Sequence, residues 1–175
     1  MSFKHILLLF LAFILMSFSF YKELNKKIDK EIKATYGIEN YSYSFTEIPE
    51  NILKELPSKF DDENLLSIKV DDALVGYVYT GKAPSKTDTF EFLVLLDKNL
   101  IVLKTKVLVY REDYGGEIGS KRWLKQFTGK TQNDDLRYGD NIVAISGATI
   151  SVRSMTNAMN NLLKSLKVLH TKNIL

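Results

Sequence analysis

The stretch from Val152 to Leu169 constrains the fold most. Val152, Met155, Ala158, Met159, Leu162, Leu163, Leu166 and Leu169 recur at spacings of three and four, which predicts one long helix with a single apolar face. Such a face is stable only against a second layer, which the rest of the chain must supply. Directly ahead lies Ser146-Gly147-Ala148-Thr149-Ile150-Ser151, a small and bendable turn. Gly147 permits close backbone approach, Ala148 adds almost no bulk, and Thr149 or Ser151 can cap the helix by accepting a bond from its free amides. A helix start concentrates unpaired N–H groups and roughly half a positive charge. That end suits a phosphate or another anion, and Thr149 would lie beside it.

The second layer is legible in the middle of the chain. Leu65 to Val70 and Ala73 to Thr80 read as a hairpin across Asp71-Asp72, because acidic residues tolerate the turn conformation. Thr89 to Leu96 and Leu100 to Tyr110 repeat the pattern across Asp97-Lys98-Asn99, with Gly81 to Asp88 as a polar loop between the hairpins. An antiparallel sheet of at least four strands is expected, with Val, Leu, Tyr and Phe on its buried side. Tyr41 to Phe45 alternates Tyr and Ser as a strand does, and Pro49 to Leu56 suits a short helix stopped by Pro57. Further on, Ser120 to Phe127 reads as a capped helix carrying Trp123, Leu124 and Phe127 on one face. Gly129 to Gly139 is a polar connector with Asn133-Asp134-Asp135 in solvent; Ile142 to Ile145 reads as a buried strand that delivers the chain to Ser146. Adjacent acids with no second carboxylate cluster describe a solvated loop rather than a metal site.

At the other end, Lys4 precedes an uncharged apolar run from Ile6 to Phe20, shorter than the roughly 20 residues of a full bilayer span. It reads as an export segment or an anchor. Ser17 and Ser19 are spaced as in a weak cleavage site, but Phe20, Tyr21 and the missing Ala-x-Ala favour an uncleaved anchor. Lys22, Lys26, Lys27, Lys30 and Lys33 outnumber Lys4, so the charge asymmetry across the run leaves its orientation open. Tyr21 to Thr35 mixes charged and apolar residues in a helical pattern, with Leu24, Ile28 and Ile32 four apart and Tyr36-Gly37 as its end. The expected class is therefore α+β: an antiparallel sheet packed with helices, preceded by an N-terminal membrane or export helix. Residues 1–21 form the anchor or signal peptide, 22–64 a membrane-proximal helical segment, and 65–170 the globular domain.

Composition removes several kinds of chemistry. The chain has no cysteine, which excludes disulfides, thiolate metal sites, cysteine nucleophiles and iron–sulfur ligation. With His5 and His170 as the two histidines, histidine metal clusters and histidine-based triads have little support. The 24 basic and 21 acidic residues are spread along the chain, so no basic block argues for nucleic acid. Any redox role must fall to a bound cofactor, since the side chains offer no electron carrier.

Between the strands and the helix, Arg111 to Ser120 carries paired glycines, Gly115 and Gly116, which serve either an ordinary turn or close approach to a ligand. Ser-Gly-Ala-Thr-Ile-Ser ahead of a helix resembles the attachment motif of the FMN-binding domain family, whose members include the flavin-carrying subunits of the Rnf complex and of sodium-translocating NADH:quinone oxidoreductase. The resemblance covers roughly Asp72 to Leu166. It implies that Thr149 is joined to FMN through a phosphodiester by a separate flavin transferase, with Ser146, Gly147, Ala148, Ile150 and Ser151 around the attachment point. It also implies that the loop holding Glu112, Tyr114, Gly115, Gly116 and Glu117 packs on the isoalloxazine ring, although Tyr-Gly-Gly stands where the respiratory subunits have Thr-Pro-Gly. Trp123 would wall the flavin pocket; as a residue it reads equally as a core aromatic. The transferase pattern commonly has Asp three positions before the Ser of Ser-Gly-Ala-Thr, and Val143 stands there instead. Either the pattern is relaxed, with Asp140 or Asp135 helping from the connector, or FMN is held noncovalently.

The function that the resemblance implies is an extracytoplasmic electron-transfer flavoprotein domain, anchored in the cytoplasmic membrane, which takes electrons from a membrane partner and passes them to another carrier. A self-contained enzyme is less well supported, because no proton-transfer histidine is placed for it. The alternative is an anchored module that binds FMN noncovalently as a sensor or contacts a partner through its sheet. A secreted enzyme with Ser146 or Thr149 as nucleophile lacks a visible base.

Overall fold

The structure, a computed structural model, describes residues 23–61 and 63–175. The apolar run from Ile6 to Phe20, and with it the expected anchor, lies outside the described residues. Two compact units divide the chain, Met1–Ile38 and Glu39–Leu175. In the first, residues 23–36 form α1, as the four-residue apolar spacing predicts. The helix ends where the amides of Gly37 and Ile38 both turn back to the Lys33 carbonyl, at 3.0 and 3.2 Å. Among the described residues no helix is long and apolar enough to cross a membrane.

The second unit is built on one five-stranded antiparallel sheet in which sequence neighbours are also neighbours in space, in the order β1-β2-β3-β4-β5. The strands are β1 (Ser42–Phe45), β2 (Leu65–Val70), β3 (Ala73–Pro84), β4 (Thr89–Asp97) and β5 (Val102–Val109). Asp71 and Asp72 turn the first hairpin with φ of 48° and 64°, the pair of left-handed residues that a two-residue loop needs to match strand twist. At the third turn the Asp97 carboxylate accepts from the amides of Asn99 and Ile101 at 2.9 and 2.8 Å, reinforcing backbone bonds from Asp97 to Ile101 and from Leu100 to Asp97.

Several expected bounds shift: β5 starts at Val102 rather than Leu100, which sits in the turn at φ 64°, and two other elements change further in length. The predicted loop from Gly81 to Asp88 contracts to Ser85–Asp88, because Gly81 to Pro84 pair with Phe92 to Thr89 and extend β3. Buried Ala83 and Phe90 hold that extension, and Pro84, which lacks a donor, falls at the strand end where none is needed. The short helix α2 (Glu50–Leu53) stops before Leu56. Its last turn is tightened by bonds from Glu55 to Ile52 and from Leu56 to Leu53, as the chain prepares for Pro57.

The long helix α4 (Thr149–Thr171) covers one face of the sheet. Val152, Met155, Met159, Leu162, Leu163, Leu166 and Leu169 form one buried cluster with Tyr77, Tyr79, Phe90, Phe92, Val94 and Leu96. Each such side chain contributes about 1.5–3 kcal/mol on burial, which is why α4 stays in register on the sheet. Below β5 sits α3 (Lys121–Leu124), continued by a 3-10 turn over Lys125–Phe127. Ser120 caps it by accepting from the Trp123 amide, and the Thr105 hydroxyl on β5 donates to the Leu124 carbonyl.

The predicted strand from Ile142 to Ile145 is not formed. Ile142 alone is buried, bridging to Tyr138, and the Val143 side chain is 63% exposed. The physical reason lies in its backbone: the Val143 amide donates to Gln126 Oε1 at 2.7 Å and its carbonyl accepts from Trp123 Nε1 at 2.8 Å. Side chains of the helical turn below β5 take the bonds that a neighbouring strand would have made.

Candidate functional site

The chain enters the site from a connector held by side chains. Asn160 of α4 brackets Leu136, accepting from its amide at 2.8 Å and donating to its carbonyl at 2.6 Å. Asp134 faces Thr131 and Lys130, whereas Asp135 and Asp140 both pair with Arg137, at 3.2 and 2.7 Å. The Thr131 amide, first of all, holds the Asp134 carboxyl below its ordinary value. The two acids weighed as substitutes for the one missing at Val143 are thus engaged by a single guanidinium.

At the start of α4 the expected cap is absent. Ala148 occupies the cap position and makes no side-chain bond, while Thr149 and Ser151 lie inside the first turn. A capping side chain must precede the helix to reach its amides, so neither hydroxyl can serve as the cap. The first helical bond runs from Val152 to Ala148 at 2.9 Å, and no protein group among the described residues accepts from the amides of Thr149, Ile150 and Ser151. Ser146, Gly147 and Thr149 are exposed and Ile150 is half exposed at 50%, so this donor-rich end opens to solvent.

The glycine loop meets this turn directly. Gly115, at φ +77°, adopts a backbone that L side chains disfavour, and a β-carbon there would stand 2.7 Å from the Ala148 β-carbon. Close approach at Gly115 is therefore to the helix turn itself, whereas Gly116 has open space beside it. A 3-10 turn over Gly116–Gly119 follows, pinned by fully buried Ile118, with Glu117 exposed and Tyr114 82% exposed.

Glu112, placed by resemblance on the flavin loop, has both carboxylate oxygens on Thr87 in the β3–β4 turn, accepting from its amide at 2.7 Å and its hydroxyl at 3.0 Å. The nearby Ser85 hydroxyl, then the Thr87 amide, lower its carboxyl to about 2. Its neighbour Arg111 bonds Glu91 at 3.0 Å, so the two residues together tie the loop's entrance to the hairpin. Trp123 is buried beside Phe127, with ring centroids 5.3 Å apart, and its indole N–H holds the approach to Ser146 through Val143.

One residue of this site was not singled out from the sequence. The Tyr110 hydroxyl donates to the Tyr114 carbonyl at 3.1 Å and contacts Ser151 Oγ at 3.1 Å, joining the end of β5, the loop and the first turn of α4. In the sequence it is the last aromatic of a strand pattern, a position that carries no signal for such a role.

An antiparallel sheet thus bears one long helix whose uncapped start, a favourable place for an anion, meets a glycine loop. Residues 86–164, a little under half of the chain, match the model of the FMN-binding domain family, which supports FMN as the cofactor. The matched stretch runs from the β3–β4 turn into α4 and includes Glu112, the glycine loop and the Ser146 to Ser151 turn. The fold is similar to that of the crystal structure of NqrC from Shewanella oneidensis, with a TM-score of 0.54 over 83% of this chain and 99% of that one, at 14% identity. No curated protein matches the chain.

Proposed function

We propose that this chain is an electron-carrying flavoprotein domain, held at the outer face of the cytoplasmic membrane, with FMN joined by a phosphodiester to Thr149. The observation that carries the reading is the contact of Gly115 with Ala148, which sets the glycine loop against an exposed threonine and a helix start with three unclaimed amides. These residues fit the group: a phosphate on the Thr149 hydroxyl lies at the positive end of α4, where the amides of Thr149 to Ser151 offset its charge. The loop from Tyr114 to Glu117 then covers the ring. FMN supplies reversible electron uptake, which no side chain of this cysteine-free chain provides. A tether through the phosphate leaves the redox-active ring unmodified and keeps the cofactor from diffusing away outside the cytoplasm. The apolar run from Ile6 to Phe20 supplies the anchor. A flavin transferase performs the attachment, and redox partner proteins supply and remove the electrons.

The test is the intact mass of the full chain, exported and coexpressed with a flavin transferase, beside Thr149→Ala. The wild type should gain FMN less water, keep its yellow fluorescence on a denaturing gel, and fractionate with membranes; the variant should do only the last. An unmodified wild type that still binds free FMN would replace the tethered carrier with a noncovalent FMN module. Failure to bind FMN at all would remove the reading.

A further inference from the structure

The Tyr110 hydroxyl has one proton, and its use is fixed by its two partners. Tyr114 offers a carbonyl, which can only accept, so Tyr110 donates there at 3.1 Å. At its other contact Tyr110 therefore accepts from the Ser151 hydroxyl, also at 3.1 Å, and Ser151 itself is only 3% exposed. The tyrosine ring is braced in turn by Phe90, with centroids 6.0 Å apart. A trans peptide is planar, with its C=O and N–H opposed. Holding the Tyr114 carbonyl toward Tyr110 thus aims the Gly115 N–H the opposite way, and among the described residues no protein acceptor meets that N–H.

We propose that Tyr110 is the positioning residue of the flavin site: it aims the Gly115 N–H as a hydrogen-bond donor to the isoalloxazine ring, and through Ser151 it locks the loop to the first turn of α4. The inference rests on the reading that FMN is carried at Thr149. A donor held at the ring stabilises the negative charge gained on reduction, so Tyr110 raises the flavin potential.

The experiment compares full-length wild type, Tyr110→Phe and Ser151→Ala, matured with a flavin transferase. Tyr110→Phe keeps the ring on Phe90 and should keep the FMN mass gain, but its flavin potential should be more negative than the wild type's. Amide exchange at Gly115 and across Thr149 to Val152 should quicken about tenfold in that variant, as expected for a released hydrogen bond. Ser151→Ala leaves the Tyr114 bond in place; it should quicken exchange in the first turn of α4 but not at Gly115, which separates release of the loop from a general folding defect. An unchanged or more positive potential in Tyr110→Phe, or unchanged exchange at Gly115, overturns the proposal. If the wild type takes up no FMN, the flavin reading itself fails and the donor role falls with it, a result read from the wild-type mass before any variant is compared.

Discussion

Ala148 stands where a side chain on Gly115 would have to be. A β-carbon at Gly115 would lie 2.7 Å from the Ala148 β-carbon and 3.2 Å from its α-carbon, so the loop after β5 and the turn before α4 fix one another by contact. The backbone at Gly115, with φ +77°, adds a second reason for glycine.

Gly115→Ala is therefore expected to destabilise the domain by about 1–3 kcal/mol, through both strain and overpacking. Gly116→Ala, with open space beside it, should change stability by less than about 1 kcal/mol. Urea unfolding of the two variants checks this, and equal midpoints would contradict the contact.

Glu112 gives a pH dependence. The Ser85 hydroxyl and the Thr87 amide depress its carboxyl from 4.5 to about 2. A group depressed in the folded state contributes stability above its unfolded value, and that contribution is lost as pH falls through the folded value. Wild-type melting temperature should thus fall more steeply than that of Glu112→Gln between pH 4.5 and 2, and the two curves should then run parallel. The effect is small, because the group is exposed and screened by salt, so melts belong at low ionic strength. Parallel curves across the whole window would remove the Glu112–Thr87 clasp from the account.

Trp123→Phe keeps the aromatic packing on Phe127 but deletes the donor to the Val143 carbonyl. About 1–2 kcal/mol should be lost, seen as a lower urea midpoint. Gln126→Ala frees the other side of the same residue, so the double variant should depart from the sum of the singles. Strict additivity would show that Val143 is not held by both.

The first hairpin predicts a gain. Asp71 and Asp72 sit at φ 48° and 64°, where Asn-Gly is the better pair. Replacing both, Asp71→Asn with Asp72→Gly, should raise stability by about 0.5–1 kcal/mol on a thermal melt, since both φ values are already those of the favoured turn. A loss would mean that the aspartate side chains support the turn by bonds of their own.

What the sequence shows here is what short-range rules decide. The Asp71-Asp72 and Asp97 turns, the Ser120 cap and the apolar face of α4 each follow from residues within a few positions of one another, and each is present. Family resemblance singles out the Ser146 to Ser151 turn and the glycine loop, but not the close approach of Gly115 to Ala148 that sets one against the other. Ile142 to Ile145 was misread because an apolar run cannot report that Trp123 and Gln126, distant in the chain, take the Val143 backbone bonds. The end of β3 was misread for the converse reason: its polar Gly81-Lys82 conceals a partner strand whose Phe90 must be covered. Tyr110 was out of reach because a hydroxyl's role depends on which two loops the fold brings to it, and strand periodicity says nothing of that.

Starting α4 on Ala148 has a consequence for the life of the molecule. A serine or aspartate there would contribute about 1 kcal/mol, and this chain forgoes it in its longest described helix. Any anion that binds the folded chain at that end favours the folded state over the unfolded one, so in the reading proposed above a copy without its flavin is the less durable version of the same protein. On that reading, resistance to proteases becomes a measure of how much of the protein is loaded.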